Sequence, residues 1–432
     1  MMARFRRAVA VAALLGLASG AASAQDSAQN TAQTCNAWAA SPAGWDDIEA
    51  VIRRNYAYLD RVEDVDALFK AARASAQSAA SVEELGTIAE TLGYAFRDGH
   101  FHARPTVGPE RAWIPSSSDF WIVRDKGRWL VSDVKQGSRA RETGVRPGWE
   151  ILTMDGIPIA ELAAQALAAV TTTPSEAQLE YAANVVLTGR LGARRSFVFS
   201  TMGGQRNMEL PPAQQSFAPR PDGMVQVSQR DGVVRLRFNN SLGNNDLITR
   251  FDQLMRDNAD AKGLILDLRD TPGGGNTTVA RAILGHFVGK PVPYQIHRNM
   301  FEEMSFGVRR QYAEYVFPRG KVFDRPVVIL AGRWTGSVGE AVAMAFETAV
   351  GAHTVGTPLA DLLGDLRTNR TGNGCIAIRF AWDKLYSVQG LPREEWTPAD
   401  LLASGDTGPD GGDPALARAM QYIAGNSTVA GD

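Results

Sequence analysis

The chain has 432 residues, of which 44% are hydrophobic and 21% are charged, and its formal net charge is −2. A chain of this length is too long to fold around one ordinary hydrophobic core, so two or three domains are predicted. The composition is typical of a soluble globular protein. A net charge so close to zero gives no global electrostatic reason to expect nucleic acid or an anionic membrane surface as a partner.

The N-terminus has the pattern of an export signal. Three arginines at positions 4, 6 and 7 precede an apolar run, and Ala22-Ser23-Ala24 resembles a cleavage site before Gln25. Residues 1–24 are therefore predicted to be a signal peptide, and the protein is expected to be exported, periplasmic or secreted. No later stretch is long and apolar enough to span a bilayer. An uncleaved membrane anchor is the alternative interpretation.

Export also bears on the two cysteines, Cys35 and Cys375. An oxidising compartment permits a disulfide between them, but sequence gives no distance, so their pairing is open at this stage. Two cysteines without clustered histidines argue against a structural zinc site.

A polar leader (residues 25–42) precedes a predicted small helical domain (residues 43–108). Apolar residues recur at helical spacing from Ile48 to Leu59, and a second, Ala-rich helix is expected around residues 65–76.

The third predicted helix begins with Ser81-Val-Glu-Glu84, which has the pattern of a capping box. It ends in Asp98-Gly-His-Phe-His102, a turn that contains two histidines. One apolar stripe is expected along this helix, formed by Leu85, Ile88, Leu92 and Phe96.

Residues 113–210 differ in character. Short alternating runs such as DFWIV and RWLVSDV are separated by turn signals, and GVRPGWEILTMDG is typical of a Pro-Gly turn followed by a strand. A β-rich domain is expected here, followed by a proline-rich linker at residues 211–223.

Strand and helix patterns alternate over residues 224–425. The apolar runs VVRLRF, GLILDL and PVVILA are separated by helical patterns near residues 246–258 and 277–288. This spacing predicts an α/β core domain with a mostly parallel sheet and crossover helices.

Two loops follow the carboxyl ends of these strands, where open α/β sheets place ligands and reactive groups. The first is Asp270-Thr-Pro-Gly-Gly-Gly275, whose glycines allow close backbone approach and present N–H groups to an anion. It lacks the Lys-Ser/Thr of a P-loop and the spacing of a dinucleotide fingerprint. A tight turn that needs glycine for geometry alone is the alternative interpretation.

The second loop contains Ser337. Ser337-Val-Gly-Glu340 has the pattern of a capping box, so Ser337 is interpreted either as a helix cap or as a nucleophile. A nucleophile would suit this position, because the helix N-terminus offers the Val338 N–H and a positive dipole end to a developing oxyanion.

A nucleophilic serine needs a base, and histidine is the usual one. His100 and His102 lie in a glycine-containing turn that is able to reach into a cleft, whereas the other three have no motif support. Those three are His286, His297 and His353.

Several motifs in one order resemble the C-terminal processing (tail-specific) serine protease family. VSDVKQGSRARETGVRPGWEILTMDGIPI is similar to the family's PDZ segment, GLILDLRDTPGGG to its strand and glycine loop, and GSVGE to its S-A-S-E element. WTPADLLASGDTGPDGGDPALARAM is similar to its closing segment. The resemblance runs from about residue 45 to the C-terminus. It implies a crotonase/ClpP-like α/β core, an embedded PDZ-like domain and a helical N-terminal domain.

One departure separates the chain from the family's Ser–Lys branch. Where that branch has a V-G-x-P-x-x-G-K segment, this sequence reads VGTPLADL, so Leu362 stands in place of the lysine. Leucine accepts no proton, and Lys384 lies outside the segment.

The tricorn-like branch pairs the serine with a histidine from a turn in the N-terminal part and supports it with a late glutamate. AFRDGHFHARP is similar to that turn and indicates His100, with Gly99 in place of a serine that some members carry. The glutamate would be Glu394, in GLPREEWTP.

The resemblance therefore implies an exported serine peptidase. Ser337 would be the nucleophile, His100 the base and Glu394 the supporting carboxylate, with His102 and Glu395 as alternatives. The backbone N–H groups of Val338, Gly273 and Gly274 would form the oxyanion hole. No metal or organic cofactor is required, and the PDZ-like domain would bind peptide or unfolded-protein substrates by strand addition.

Two other classes of function compete with this reading. A non-catalytic peptide-binding protein on a degenerate protease scaffold would also lack the lysine. An acyl-transfer or hydratase activity would use the kinship with crotonase-like folds, but an export signal argues against it because coenzyme A thioesters are cytosolic. The oligomeric state is left open.

Overall fold

The computed structural model describes residues 32–107, 114–213 and 223–427. The predicted signal peptide lies outside these ranges, as do the beginning of the polar leader and most of the predicted linker. No helix within the described ranges is long and apolar enough to cross a membrane.

The N-terminal part is helical, as its apolar periodicity predicts. Ser81 caps the third predicted helix, since its side chain accepts from the Glu84 N–H at 3.2 Å. The Glu84 carboxylate accepts from Ala80 N–H at 2.7 Å, one residue before the partner that a capping box would use. The elements are α1 (residues 32–39), α2 (Pro42–Asn55), α3 (Val65–Ala76), α4 (Val82–Phe96) and the short strand β1 (His102–Arg104).

Residues 120–210 form an antiparallel sheet with three helices inserted between its strands in sequence. The elements are β2 (Phe120–Asp125), β3 (Arg128–Val134), α5 (Arg139–Glu142), β4 (Glu150–Met154), β5 (Ile157–Pro158), α6 (Ile159–Leu167), α7 (Glu176–Val186), β6 (Arg195–Thr201) and β7 (Gly204–Leu210). The strand order is β2–β3–β4–β6–β7, with β5 paired to β4, so β2 lies at one edge. The buried apolar side chains of this sheet belong to the same hydrophobic cluster as those of the N-terminal helices.

The remainder of the chain alternates strands and helices. The elements are β8 (Val225–Arg230), β9 (Val233–Phe238), α8 (Asp246–Asp257), β10 (Gly263–Asp267), α9 (Thr277–Leu284), β11 (Val292–Asn299), α10 (Met300–Phe306), β12 (Arg310–Val316), β13 (Val327–Ala331), α11 (Val338–Ala345), β14 (His353–Gly356), β15 (Asp365–Thr371), β16 (Ile376–Tyr386), β17 (Asp400–Leu401) and α12 (Pro414–Ser427). A six-stranded sheet has the order β17–β14–β13–β10–β9–β8, and all its pairs are parallel except β8 with β9. The predicted parallel sheet is confirmed.

A third sheet joins the N-terminal part to this core. Its order is β1–β16–β11–β12, with β15 also paired to β16, and β1 pairs antiparallel with β16 through His102 and Arg379. The pairing places the turn before β1, which contains His100, against the core domain. A disulfide between Cys35 and Cys375 links α1 to the residue before β16, with a sulfur–sulfur distance of 1.99 Å. The sequence left open whether the two cysteines pair, and the structure shows that they do.

Candidate active site

The two loops singled out from the sequence meet, because they follow neighbouring parallel strands, β10 and β13. Thr271 in the glycine loop forms a parallel bridge with Thr335, and its carbonyl accepts from Gly336 N–H at 3.1 Å. A β-carbon built on Gly274 would lie 2.4 Å from Ser337 Cβ. Only glycine therefore allows the loop to approach Ser337 this closely.

Ser337 has an unusual backbone conformation, with φ 54° and ψ −115°. This region is open to glycine and strained for residues with a β-carbon, and such strain clusters at functional sites. Ser337 sits between β13 and the first turn of α11, the strand–turn–helix arrangement that exposes a nucleophilic side chain at the end of a sheet. Glu340 Oε2 accepts from Ser337 N–H at 2.7 Å and so holds the strained turn to the helix.

The three backbone N–H groups expected to form the oxyanion hole differ in the acceptors that they bind in this structure. Among the described residues no acceptor is found for the Val338 N–H, so it is available at the start of α11. Gly273 N–H donates to Asn240 Oδ1 at 2.9 Å, and Gly274 N–H donates to the Thr271 carbonyl at 3.1 Å. Because Asn240 and Gly273 are both exposed, a substrate oxygen could displace the Asn240 amide more readily than the buried loop contact at Gly274.

His100 lies buried in the turn between α4 and β1. Its backbone N–H donates to Asp98 Oδ1 at 2.8 Å, and its ring Nδ1 lies 2.7 Å from the carbonyl oxygen of Leu363. A carbonyl only accepts, so Nδ1 carries the proton and Nε2 is left as the basic nitrogen. Burial lowers the pKa of His100 to about 3, against the opposing effect of the Leu363 carbonyl, so the ring is neutral at neutral pH.

Leu362 connects the turns of His100 and Ser337. A β-carbon on Gly99 would lie 2.5 Å from Leu362 Cδ2, and one on Gly336 would lie 2.8 Å from Leu362 Cδ1. The residues before His100 and before Ser337 thus pack against opposite methyl groups of one side chain. Within the described ranges no hydrogen bond joins Ser337 to the His100 ring, and such contacts are often long in enzymes without substrate.

Glu394 is placed differently from the supporting carboxylate that the resemblance implies. It lies in a short 3₁₀ turn, accepts from the Tyr58 hydroxyl at 3.4 Å, and has the Arg61 guanidinium 3.7 Å away. Burial raises the pKa of Glu394. The His100 Nδ1 is occupied by Leu363 rather than by this carboxylate. Any effect of Glu394 on the imidazole is therefore through charge, not through a direct hydrogen bond.

The two alternative residues are less well placed. The ring of His102 points back to α4, where Nδ1 lies 3.2 Å from Glu90 Oε1. Glu395 is exposed, whereas the Glu394 side chain is 7% exposed. Of the two histidines, His100 is the more buried, and of the two glutamates, Glu394 has the less exposed side chain.

Glu340 and Arg393 form a hub that sequence reasoning missed. Glu340 accepts from three backbone N–H groups: Ser337 at 2.7 Å, Asp361 at 2.8 Å and Leu362 at 3.2 Å. Burial raises the pKa of Glu340 to about 8, although Arg393 opposes this shift from 3.8 Å.

The guanidinium of Arg393 completes the hub by donating to the carbonyls of Leu362 and, at 3.4 Å, Gly364. Residues 361–364, whose Leu363 carbonyl binds His100, are thus held from both sides. The sequence signals for Glu340 were its capping-box position and its place in GSVGE, and Arg393 carried no signal except its place beside Glu394.

A cavity of about 350 Å³ opens next to the nucleophile turn, between that turn, α7 and the edge strand β2. Arg333, four residues before Ser337, lines it and stacks on the Trp121 ring at 4.8 Å. The Tyr181 hydroxyl also lines it and has no hydrogen-bond partner among the described residues. Polar groups without partners beside a candidate nucleophile mark the cavity as a place for a polar ligand.

The edge of β2 is not open for strand addition in this structure. Asn184 on α7 accepts from Ile122 N–H at 2.9 Å and donates to the Ile122 carbonyl at 2.8 Å. Glu180, one turn earlier, accepts from Arg124 N–H at 2.9 Å. These two side chains thus occupy the backbone N–H and carbonyl groups of β2 to which an added peptide strand would bind.

Comparison with known proteins finds a family model, a curated relative and solved structures that resemble the chain. Residues 230–390 match the sequence model of Peptidase family S41. The carboxyl-terminal-processing protease of Synechocystis sp. is 28% identical over 238 residues, which cover 53% of this chain and 49% of that protein. The chain therefore spans about half the length of this curated relative.

Solved structures show the same fold at low sequence identity. Mature CPAF complexed with lactacystin has a TM-score of 0.55 and 14% identity, and the match covers 92% of this chain and 98% of that chain. The photosystem II D1 C-terminal processing protease has a TM-score of 0.51 and 14% identity, covering 83% and 91%. The expected mixed α/β architecture is confirmed.

Proposed function

We propose that this protein is an exported serine peptidase in which Ser337 is the nucleophile and His100 the general base. The observation that carries the proposal is the strained Ser337, which starts α11 against the glycine loop, while the turn of His100 packs on Leu362 directly beside it. The match of residues 230–390 to a peptidase family and the 28% identical processing protease support the same reaction.

The proposed reaction proceeds through an acyl-enzyme. Ser337 Oγ bonds to the carbonyl carbon of the peptide, the carbonyl electron pair moves to oxygen, and the hydroxyl proton passes to His100 Nε2. The oxyanion lies at the Val338 N–H and the positive end of α11. Collapse of the intermediate breaks the C–N bond, and the leaving amine takes the proton from the imidazolium. Water then attacks the acyl carbon and gives a proton to His100, the bond from this carbon to Ser337 Oγ breaks, and Ser337 Oγ takes the proton back from the imidazolium.

The buried position of His100 sets its role in this scheme. Its low pKa keeps the ring neutral at neutral pH but makes it a weak base, while the Leu363 carbonyl fixes the tautomer. An imidazolium formed in this buried place needs compensating charge. We assign that role to Glu394, whose side chain is 7% exposed.

Peptides or protein tails are the proposed substrates, and residues 113–210 the proposed PDZ-like domain. Its sealed β2 edge means that a peptide adds to this strand only after Asn184 and Glu180 release it. In the conformation observed, we propose that the cavity lined by Arg333 and Tyr181 receives a polar part of the substrate.

Labelling with a peptidyl or alkyl fluorophosphonate tests the proposal. The mature protein is expected to take up one label at Ser337, to hydrolyse unfolded-protein substrates, and to lose both properties in Ser337→Ala without a change in its circular dichroism spectrum. Ser228→Ala, at an exposed serine of β8, is the matched control. A protein that binds peptides but takes no label would be the non-catalytic alternative, and the peptidase assignment would be withdrawn.

A further inference from the structure

Three strands of the third sheet bring together one imidazole and two carboxylates. Asp365 and Asp383 are cross-strand partners on β15 and β16, and Asn299 on β11 is the other partner of Asp383. His297 lies two residues before Asn299 and so on the same face of the sheet. Ligand atoms of His297, Asp365 and Asp383 all lie within 4.8 Å of one another.

His297 is 5% exposed, yet its Nδ1 has no hydrogen-bond partner among the described residues. Buried polar atoms in native proteins almost always have a partner, and a missing ion or water is a usual explanation for an exception. A buried ring nitrogen without a partner shows that the cluster is incomplete as the protein side chains alone form it.

The environment of the other ring nitrogen defines the tautomer. Nε2 of His297 lies 2.9 Å from the Gln295 amide and 3.5 Å from Glu314 Oε2, while the Tyr312 ring stacks on the imidazole at 4.7 Å between centroids. Glu314 only accepts, so we assign the ring proton to Nε2 and orient the Gln295 amide with its oxygen, rather than its nitrogen, facing the ring. A neutral ring then presents the Nδ1 lone pair to the two aspartates.

The resulting contact is unfavourable without a cation. Nδ1 lies 3.9 Å from Asp365 Oδ2, so a lone pair would face an anionic oxygen. Asp383 is buried, and its Oδ1 accepts from Asn299 Nδ2 at 2.6 Å. The other oxygen of Asp383 lies 3.9 Å from the Arg367 guanidinium, beyond hydrogen-bond distance. Asp383 therefore has an oxygen available, and Asp365, half exposed, leaves the cluster open to solvent.

We propose that His297 Nδ1, Asp365 and Asp383 bind one divalent transition-metal ion such as zinc. An imidazole with two carboxylates selects such ions over calcium or magnesium, which prefer oxygen ligands alone. Glu314 on the far side of the ring supplies the carboxylate that orients a metal-binding histidine and raises its basicity. Ligand atoms on a tetrahedral zinc ion lie about 3.4 Å apart, so the three ligand atoms, which here lie within 4.8 Å of one another, have to move closer together on binding.

The site is structural in this proposal, and its position explains what it does. Asp365 is two residues after Leu363, whose carbonyl binds His100 Nδ1. An ion between β11, β15 and β16 fixes the beginning of β15 and with it residues 361–364. The ion takes no part in the hydrolytic step, and its binding does not depend on whether the protein is a peptidase.

Metal binding is measured directly on the mature full-length chain after treatment with a chelator. Titration with Zn²⁺ by calorimetry is expected to show one equivalent per chain, and Co²⁺ to give the visible d–d absorption of a site with a nitrogen ligand. Asp365→Asn and His297→Gln are each expected to weaken Zn²⁺ binding at least tenfold. Asp125→Asn, at an exposed aspartate on β2, is the control and should bind as the parent does.

Asp365→Asn tests the site without risk to the fold, because that side chain is half exposed. Absence of Zn²⁺ and Co²⁺ binding, or binding that neither variant changes, would overturn the proposal. So would a His297 ring that NMR shows doubly protonated at neutral pH in the metal-free protein, since an imidazolium among three carboxylates would then complete the cluster. A peptidase assay is not needed for any of these outcomes, so they are independent of the proposed function.

Discussion

The side chain of Leu362 fills the space beside Gly99, the residue that precedes His100. A β-carbon on Gly99 would lie 2.5 Å from Leu362 Cδ2 and 3.0 Å from Ile114 Cγ2. Leu362, which stands where the Ser–Lys branch has its lysine, is therefore the surface on which the turn of His100 rests.

Gly99→Ala is expected to lower kcat/KM at least tenfold, since the added methyl group pushes the His100 turn away from residues 361–364. Leu362→Ala in the same chain removes the clash and should restore part of the activity, although alone it costs about 2–5 kcal/mol of stability as a cavity. The measurement is kcat/KM for one peptide in the two single variants and the double variant. Strict additivity of the two losses would contradict the packing described for Gly99 and Leu362.

The lowered pKa of His100 predicts a pH dependence of stability. The unfolded ring takes up a proton near pH 6.5, while the folded ring stays neutral down to about pH 3. Below pH 6.5 the unfolded state therefore binds more protons, and the His100 contribution lowers the free energy of unfolding by up to about 1.4 kcal/mol per pH unit.

His100→Gln isolates this contribution, because glutamine keeps a donor for the Leu363 carbonyl and does not titrate. Asp98 acts in the opposite direction, since burial raises its pKa to about 6, so the comparison with the variant is needed. Urea unfolding at pH 7 and pH 5 should show that the variant gains stability relative to the parent as the pH falls. A difference that does not change with pH would mean that His100 is solvated in solution.

The raised pKa of Glu340 predicts a second dependence of stability on pH, at higher pH values than that of His100. Its unfolded pKa is near 4.5 and its folded pKa about 8, so the folded state retains a proton between these values and stability declines as the pH rises through them. Glu340→Gln cannot ionise and should become more stable than the parent toward pH 8. It should also retain activity, because an amide oxygen can still accept from Ser337 N–H.

Glu340→Leu is the contrasting variant. It leaves the N–H groups of Ser337, Asp361 and Leu362 without their acceptor and Arg393 without its buried carboxylate. A loss of about 3–5 kcal/mol and of most activity is expected. Equal activity of the Gln and Leu variants would show that the hub does not position Ser337.

The sealed edge of β2 predicts that peptide binding is restrained by α7. Glu180→Gln in the Ser337→Ala background weakens the bond to Arg124 N–H and should increase the affinity for an extended peptide, measured by fluorescence anisotropy. Glu209→Gln, at an exposed position on β7, is the control. Unchanged affinity would place peptide binding elsewhere than at this strand.

The Cys35–Cys375 disulfide closes most of the chain into one loop, and removing it should destabilise the protein by about 2–5 kcal/mol. Cys35→Ser together with Cys375→Ser avoids thiol chemistry in the comparison. Thermal and urea unfolding of the double variant against the oxidised parent give the measurement. Equal stability would show that the helices near residue 35 do not depend on this link.

Local signals in the sequence predicted the N-terminal helices and the parallel strands of the core, but not the strands of the third sheet. The stripe from Leu85 to Phe96, the alternation of apolar strands and helices from residue 224, and the capping pattern at Ser337 each depend on residues within one or two turns of one another. Such patterns also placed the glycine loop and Ser337 at the ends of neighbouring strands, because parallel strands bring their carboxyl ends to one edge.

Contacts between distant parts of the chain could not be derived in this way. The pairing of β1 with β16, the Leu363 carbonyl on His100 and the hub of Glu340 and Arg393 each join residues whose sequence separation gives no distance. The capping box at Ser337 thus came from the sequence alone. That Leu362 packs against both Gly336 and the glycine before His100, and that Glu340 binds the backbone of residues 361 and 362, was decided by packing, because only the folded chain determines which buried donors and acceptors find one another.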